Sequence, residues 1–276
     1  MSLIYDDFRH LRIDRSESGV LHIWINRPEK MNAANLRLHW ELGEIWRVFE
    51  EDEKSRVAVI SGTGSTFCVG AEFSVIEKMR SSHQELERQR RHAAAIVENM
   101  VASTKPIISA INGAAVGAGL AVALMADIAI MARSARISDG HARLGIAAGD
   151  HAALIWPLLI GMSKAKYLLL TADFVDGSEA ERIGLVYRCV DDDDLIASAD
   201  ALAEKLARGS SIALRATKRS LNQWFRLLYP IFEHSLESEI LNLLSPDAEE
   251  GLSAISEKRH PLFPSTTDAQ LPHIPE

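Results

Sequence analysis

Short, continuously apolar runs rich in β-branched residues alternate along this chain with longer stretches whose apolar positions recur every three to four residues. The runs are Val20–Ile25 (VLHIWI), Val57–Gly62 (VAVISG), Pro106–Ile111 (PIISAI), Asp127–Ala132 (DIAIMA) and Leu185–Val190 (LVYRCV). The second to fourth are nearly free of polar side chains, the pattern of strands covered on both faces. Between them Leu38, Leu42, Ile45, Trp46 and Phe49 fall on one helical face, and residues 77 to 103 read as one long polar helix. Ser178-Glu179-Ala180-Glu181 has the form of a capping box, opening a short helix that Gly184 stops. From about Asp192 the pattern is helical, interrupted at Gly209-Ser210 and at Pro230. The spacing therefore predicts an α/β core over 1–190 and a helical region over 191–260. The four prolines after Arg259 predict an extended or disordered tail over 261–276. With no exact repeat and no low-complexity linker, the core and the helical region are not expected to be independent units.

One apolar run admits a second reading. Ile107 to Ala126 carries no charged residue and is long enough to span a bilayer. Asn112 and three glycines lie inside it, Asp127 follows it directly, and no basic loops flank it. A strand followed by a buried helix accounts for the same residues. The chain has 276 residues, with 47% apolar and 25% charged content, ordinary for a soluble globular protein. A net charge of −8 argues against nonspecific binding to nucleic acid or to an anionic membrane. Two cysteines, Cys68 and Cys189, imply no disulfide framework and suit a reducing cytoplasm. The acidic N-terminus MSLIYDDFRHLRID lacks the apolar segment of a secretory signal. The ten histidines show no metal-ligand spacing, and no dinucleotide or Walker fingerprint is present, so no metal site and no separate cofactor are expected.

The richest chemical signal lies in KPIISAINGAAVGAGL (105–120). An apolar strand meets Asn112-Gly113, then a turn with glycines at 117 and 119, then an apolar helix. Strand, glycine turn and helix together aim free backbone N–H groups at a developing negative charge. Taken alone, these glycines equally suit close packing of strand on helix.

Six fragments in order resemble the crotonase (enoyl-CoA hydratase/isomerase) superfamily. They are INRPEKMNAAN (25–35), FCVGAEFS (67–74), the 105–120 segment, DIAIMA, LTADFVDGSEAERIGLV (170–186) and EGLSAISEKRHPLF (250–263). The resemblance implies a spiral of ββα units followed by C-terminal helices that assemble homotrimers, often stacked as hexamers. It implies a small-molecule acyl-CoA thioester as substrate, with coenzyme A part of that substrate. By motif position the oxyanion donors are the amides of Ala71, after Gly70, and Ala118, after Gly117; the second donor residue is usually glycine. Arg27, Lys30 and Ala34 fall in the segment that borders the nucleotide and pantetheine, and Lys258 falls where a basic side chain meets the CoA phosphates. Exposed lysines and arginines are equally often merely solvated.

The pattern departs from the hydratases at their two glutamates, whose positions hold Ala121 and His141. Water addition needs one group to activate water and one to manage the α-proton; alanine does neither. The segment DGHARLGIAAGDHAALIWPLLIG (139–161) is similar instead to the matching segment of 6-oxocamphor hydrolase, a superfamily member that cleaves β-diketones by a retro-Claisen reaction. There the residues matching His141 and Asp150 act as a pair, although a second active-site histidine of that enzyme falls at Ala118. The resemblance implies a His141–Asp150 dyad, with Asp150 fixing the tautomer of a water-activating imidazole. Asp150 could equally be a helix N-cap and His141 an exposed loop residue. Glu239 is a further catalytic candidate, with Glu237 beside it. Trp156 could line the pocket or belong to the core, and His151 is another candidate base, although its side chain is expected to diverge from that of Asp150. Three readings stay open: an acyl-CoA enzyme working through an enolate, a cyclic β-diketone hydrolase, and a non-catalytic binding protein on the same fold.

Overall fold

The computed structural model describes residues 4–267. Strands β1 (Leu11–Arg15), β2 (Val20–Ile25), β3 (Val57–Gly62), β5 (Ile107–Ile111), β7 (Ile128–Ala132) and β10 (Arg188–Val190) form a six-stranded sheet in the order β1-β2-β3-β5-β7-β10. Only the β1–β2 pair is antiparallel; the others run parallel. Three of these long strands are each followed by a short strand in a second sheet: β4 (Thr66–Cys68), β6 (Ala114–Val116) and β8 (Arg136–Ser138), closed by β9 (Val175–Asp176). The chain then returns through helices before the next long strand. This is the expected spiral of ββα turns.

Every residue of β3 and β5 is buried, as their unbroken apolar runs require. One face is covered by α1 (Leu36–Glu51), where Leu38, Leu42, Ile45, Trp46 and Phe49 are fully buried. Asparagines pin successive turns of the spiral. Asn112 Oδ1 accepts from Gly62 N at 3.0 Å and its Nδ2 donates to Gly64 O at 2.9 Å. Asn32 Nδ2 donates to the carbonyls of Thr63 and Thr66 at 2.9 and 2.7 Å. Two asparagines within the motifs thus hold the backbone.

Several expectations are corrected. The single helix over 77–103 is two helices, α2 (Phe73–Ser81) and α3 (His83–Ala102). Ser82 between them is extended, and its Oγ accepts from Glu85 N, so a serine able to cap a helix opens a new one here. The cap of α7 (Gly177–Ile183) is Asp176, whose Oδ1 accepts from Glu179 N at 2.9 Å, rather than Ser178. The interruption expected at Pro230 falls at Leu228, just before α11 (Tyr229–Asn242), and Pro230 is the second residue of that helix, where a missing N–H costs no helical bond. The run from 107 to 126 folds as β5, β6 and the nine-residue helix α4 (Gly117–Met125). Among the described residues no helix is long and apolar enough to cross a membrane.

Helices α5 (Ala152–Ile160) and α6 (Met162–Thr171) precede β9, and α8 (Leu195–Ala207) packs on β3, β5 and β7. The region that follows contains α9 (Ser211–Leu221), α10 (Gln223–Leu227), α11 and α12 (Pro246–Ser256). Lys218 on α9 reaches Asp127 Oδ2 at 2.7 Å and the Lys105 carbonyl at 2.8 Å, fastening this region to the core at the start of β5. The tail expected to be extended or disordered contains a helical turn, α13 (Pro264–Thr267), with Ser265 N donating to Asp247 Oδ1 at 3.0 Å. The rest of that tail lies outside the described residues.

Candidate active site

The second sheet delivers three backbone corners to one cavity of about 300 Å³. After β4 comes Gly70-Ala71, after β6 comes Gly117-Ala118 at the start of α4, and after β8 comes Asp139-Gly140-His141. Gly70 and Gly117 have φ of +87° and +51°, which side chains rarely adopt. A Cβ on Gly117 would stand 3.5 Å from Gly70 Cα, so the first two corners abut. Ala34 ties down the Gly70 corner: its N–H donates to Gly70 O at 2.7 Å and its carbonyl accepts from Glu72 N at 3.0 Å. Ala71 N lies between those two bonds and finds no acceptor among the described residues. Ala118 N, in the first turn of α4, is equally free. Both residues line the cavity, so two residues with unpaired amide donors, one at a helix N-terminus, border the same space.

Opposite them stand His141, Asp150 and Glu239, with ligand-type atoms all within 4.8 Å of one another. Their pairing corrects the expected dyad. His141 Nδ1 meets Asp139 Oδ1 at 2.9 Å, and its Nε2 stands 3.5 Å from Glu239 Oε1. Asp150 instead bonds the neighbouring residue, accepting from His151 N and meeting His151 Nδ1, each at 2.5 Å. The expected divergence of His151 is therefore also corrected. His151 is the capping residue of α5 and fully buried, and its ring folds back over Asp150. Asp150 is accordingly not the helix N-cap. Its own N–H donates to Glu239 Oε2 at 2.8 Å, which fixes Glu239 against the loop. Gly149 permits that approach, because a Cβ there would overlap the Glu239 side chain.

The electrostatics follow from these contacts. Burial works against the charged form of His141, but the carboxylates of Asp139 and Glu239 outweigh it and hold the imidazole well above its usual range. The two carboxylates thus favour the charged ring, which works against the proton-acceptor role expected of His141. Burial pushes the Asp150 carboxyl up; the charge and hydrogen bonds of His151, with the charge of His141, win and hold it below the ordinary carboxylate range. The fold also assembles metal-type clusters that spacing did not suggest, His141/Asp150/Glu239 and Asp139/Asp150/His151. Cys68, beneath the first corner, is no nucleophile: burial pushes its thiol up to about 11.

The remaining candidates separate. Ala34 is fully buried and acts through its backbone. Arg27 Nη1 pairs with Glu72 at 2.6 Å and also donates to the Ala33 carbonyl, so it braces the loop. Lys30 is exposed. Lys258 is exposed and follows by three residues Ile255, which lines the cavity. Trp156 is fully buried in the core, its Nε1 3.5 Å from His151 Nε2, and does not line the cavity. Glu237 is exposed, outside the lining, whereas Glu239 lies within it. Sequence reasoning missed Asp139, Arg143, His39 and Gln89, all of which line the cavity. Asp139 stands two residues before His141, and His39 and Gln89 each continue an apolar helical face; these were the available signals.

A model of the family described as "Enoyl-CoA hydratase/isomerase" matches residues 15–266. The chain belongs to that family. It is 30% identical over 250 residues to the 1,2-epoxyphenylacetyl-CoA isomerase of Escherichia coli, covering 90% of this chain and 95% of that one. It is 32% identical over 252 residues to the (E)-benzylidenesuccinyl-CoA hydratase of Thauera aromatica, covering 88% and 95%. The crystal structure of an enoyl-CoA hydratase/isomerase from Mycobacterium paratuberculosis superposes with a TM-score of 0.84 at 28% identity, covering 88% of this chain and 97% of that chain. This crotonase-superfamily enzyme has the family's α/β architecture and is of the acyl-CoA type. Ala121, at the position the resemblance assigns to the first hydratase glutamate, is buried on α4 and offers no acid–base group there.

Proposed function

We propose that the enzyme adds water across an α,β-unsaturated acyl-CoA thioester, with coenzyme A as part of the substrate and no separate cofactor. The thioester oxygen sits between the Ala71 and Ala118 amides. Glu239 takes a proton from water as the oxygen adds to Cβ, and the π electrons move onto the carbonyl oxygen to give an enolate held by the two N–H groups. A proton then returns to Cα, from the His141 imidazolium or from Glu239, and the double bond re-forms to oxygen. Asp139 positions and charges His141; Asp150 and His151 position Glu239 through the Asp150 N–H. The observation that carries this reading is two residues with unpaired amides sharing one cavity with a carboxylate and an imidazole 3.5 Å apart. The family membership and the acyl-CoA names of both relatives support the substrate class. Exposed Ile212, Leu221, Trp224, Leu227 and Ile231 on the C-terminal helices support assembly as a homotrimer, or a hexamer of two trimers. Free cysteines suit a reducing cytoplasm.

Loss of the conjugated enone absorbance of crotonyl-CoA and longer enoyl-CoA thioesters tests the reading. Wild type should turn over at least one of them, and Glu239→Gln should lower kcat per folded molecule by roughly 10²–10⁴-fold. Full activity in Glu239→Gln removes that residue from the chemistry. Cleavage of cyclic 1,3-diketones without thioester turnover would establish the C–C hydrolase alternative instead. No turnover of either, with no thermal shift on adding acyl-CoA, would leave a binding protein.

A further inference from the structure

The cavity wall made by α1 and α3 is polar where the rest of that end is apolar. Ile76, Met79, Ala93, Ile240 and Leu243 line it with hydrocarbon, the surface expected around an acyl chain. Gln89 on α3 also lines it, 2% exposed, and both its Nε2 and Oε1 are buried without a partner among the described residues. His39 on α1 lines it too, 8% exposed, with Nδ1 buried and unpartnered. Buried amide and ring nitrogens are rarely left unbonded, and an unbonded set on side chains that line a cavity marks a place where a ligand can supply the missing partners.

We propose that Gln89 and His39 form a recognition site for a neutral hydrogen-bonding group, a hydroxyl or carbonyl, carried on the acyl part of the substrate away from the thioester. The inference rests on the acyl-thioester reading above. Gln89 offers two donors and an acceptor, and neutral His39 one of each, so the pair matches an alcohol or a ketone. Burial, with the nearby charge of His92, pushes His39 down to about 4, which keeps the ring uncharged at working pH. An anionic group is disfavoured at this pair, because neither Gln89 nor His39 carries a positive charge to meet it. A plain alkyl chain would bury Gln89 against hydrocarbon with its amide unbonded, and a site built for a polar group discriminates strongly against the analogue that lacks it.

The test is a matched series of enoyl-CoA thioesters of equal chain length, each made plain, with a distal hydroxyl and with a distal ketone. Wild type should favour the oxygenated member by at least tenfold in kcat/KM. Gln89→Leu should reverse or abolish that preference, lowering kcat/KM for the oxygenated thioester and raising it for the plain one. His39→Phe, a second independent variant, should weaken the preference in the same direction. Equal rates on plain and oxygenated thioesters in wild type would overturn the proposal and assign Gln89 to an ordered water. A wild-type preference that survives both substitutions would overturn it as well. Failure of wild type to turn over any thioester in the series is a separate result, which overturns the acyl-thioester reading and this inference with it.

Discussion

The two halves of the cavity are built in different ways. The Ala71 and Ala118 half is main chain: its donors need only a corner with the right φ, and alanine supplies the amide as well as glycine does. The opposite half is side chain, and its members come from β8's end, the loop before α5, and α11, nearly a hundred residues on. A backbone site tolerates changes of side chain, because its donors are present whatever residue carries them. A side-chain site is remade by single substitutions. On the proposed reading, the alanine at 121 and the histidine at 141 alter the side-chain half without touching the Ala71 and Ala118 amides.

Gly70→Val is the sharpest way to break the backbone half. A β-branched residue at φ +87° is strained, and its Cβ would stand 3.2 Å from the Val116 carbonyl. The corner then relaxes and Ala71 N turns off the cavity. Loss of one oxyanion donor predicts a fall of roughly 10²–10³-fold in kcat, with His141 titration unchanged by NMR. A variant that keeps wild-type kcat would show that the Ala71 amide does not serve the reaction.

The backbone half was legible because its signal is local. Gly70-Ala71 and Gly117-Ala118 each sit directly after a short strand, and the resemblance covers both. The apolar runs of β3 and β5 and the buried face of α1 were legible for the same reason, since period and burial are written in consecutive residues. The side-chain half was only half legible. His141, Asp150 and Glu239 were all named, yet the His141–Asp150 pairing was not formed, because partners at a helix start depend on loop geometry. Asp150 lies one residue from His151, and the tight turn at Gly149 folds that ring back onto it. Asp139 reaches His141 across a single intervening glycine with φ +76°. Gln89 escaped notice because a glutamine in a polar helix reads as solvated, although it falls three residues after Leu86 and seven before Ile96 on the buried face.

A charged pair outside the cavity separates stability from chemistry. Lys218 is 7% exposed and Asp127 26%, and burial pushes the lysine down and the aspartate up from their usual ranges. Lys218→Ala leaves Asp127 at the β5–β7 junction without its cation. The expected cost is about 3 kcal/mol, the low end for breaking a buried pair, because Asp127 keeps contact with water. Denaturant unfolding should show that loss, while kcat per folded molecule stays at the wild-type value. A fall in kcat of the same size as Gly70→Val would mean that the C-terminal helices act on the cavity itself, through Glu239 on α11.

The smallest effect tests the side-chain half most directly. Asp139→Asn removes the nearer of the two carboxylates that hold His141 charged, while keeping the size of the side chain. Because the folded His141 titrates above its unfolded value, its contribution to stability is fully present below about pH 6.5 and is lost as pH rises through the folded midpoint. The variant should therefore melt lower than wild type at pH 6, and the gap should narrow as pH rises past the wild-type midpoint. The expected gap at pH 6 is about 1 kcal/mol, below the usual value of a bond to a charged group, because Asp139 Oδ2 is buried without a partner among the described residues and its neutralisation offsets part of the loss. The His141 ring signals should titrate at lower pH in the variant. The alkaline limb of the activity profile should move the same way if the imidazolium gives up a proton in turnover. A midpoint that stays in place would assign the charge on His141 to Glu239 alone, and would make Asp139 a residue that only orients the ring.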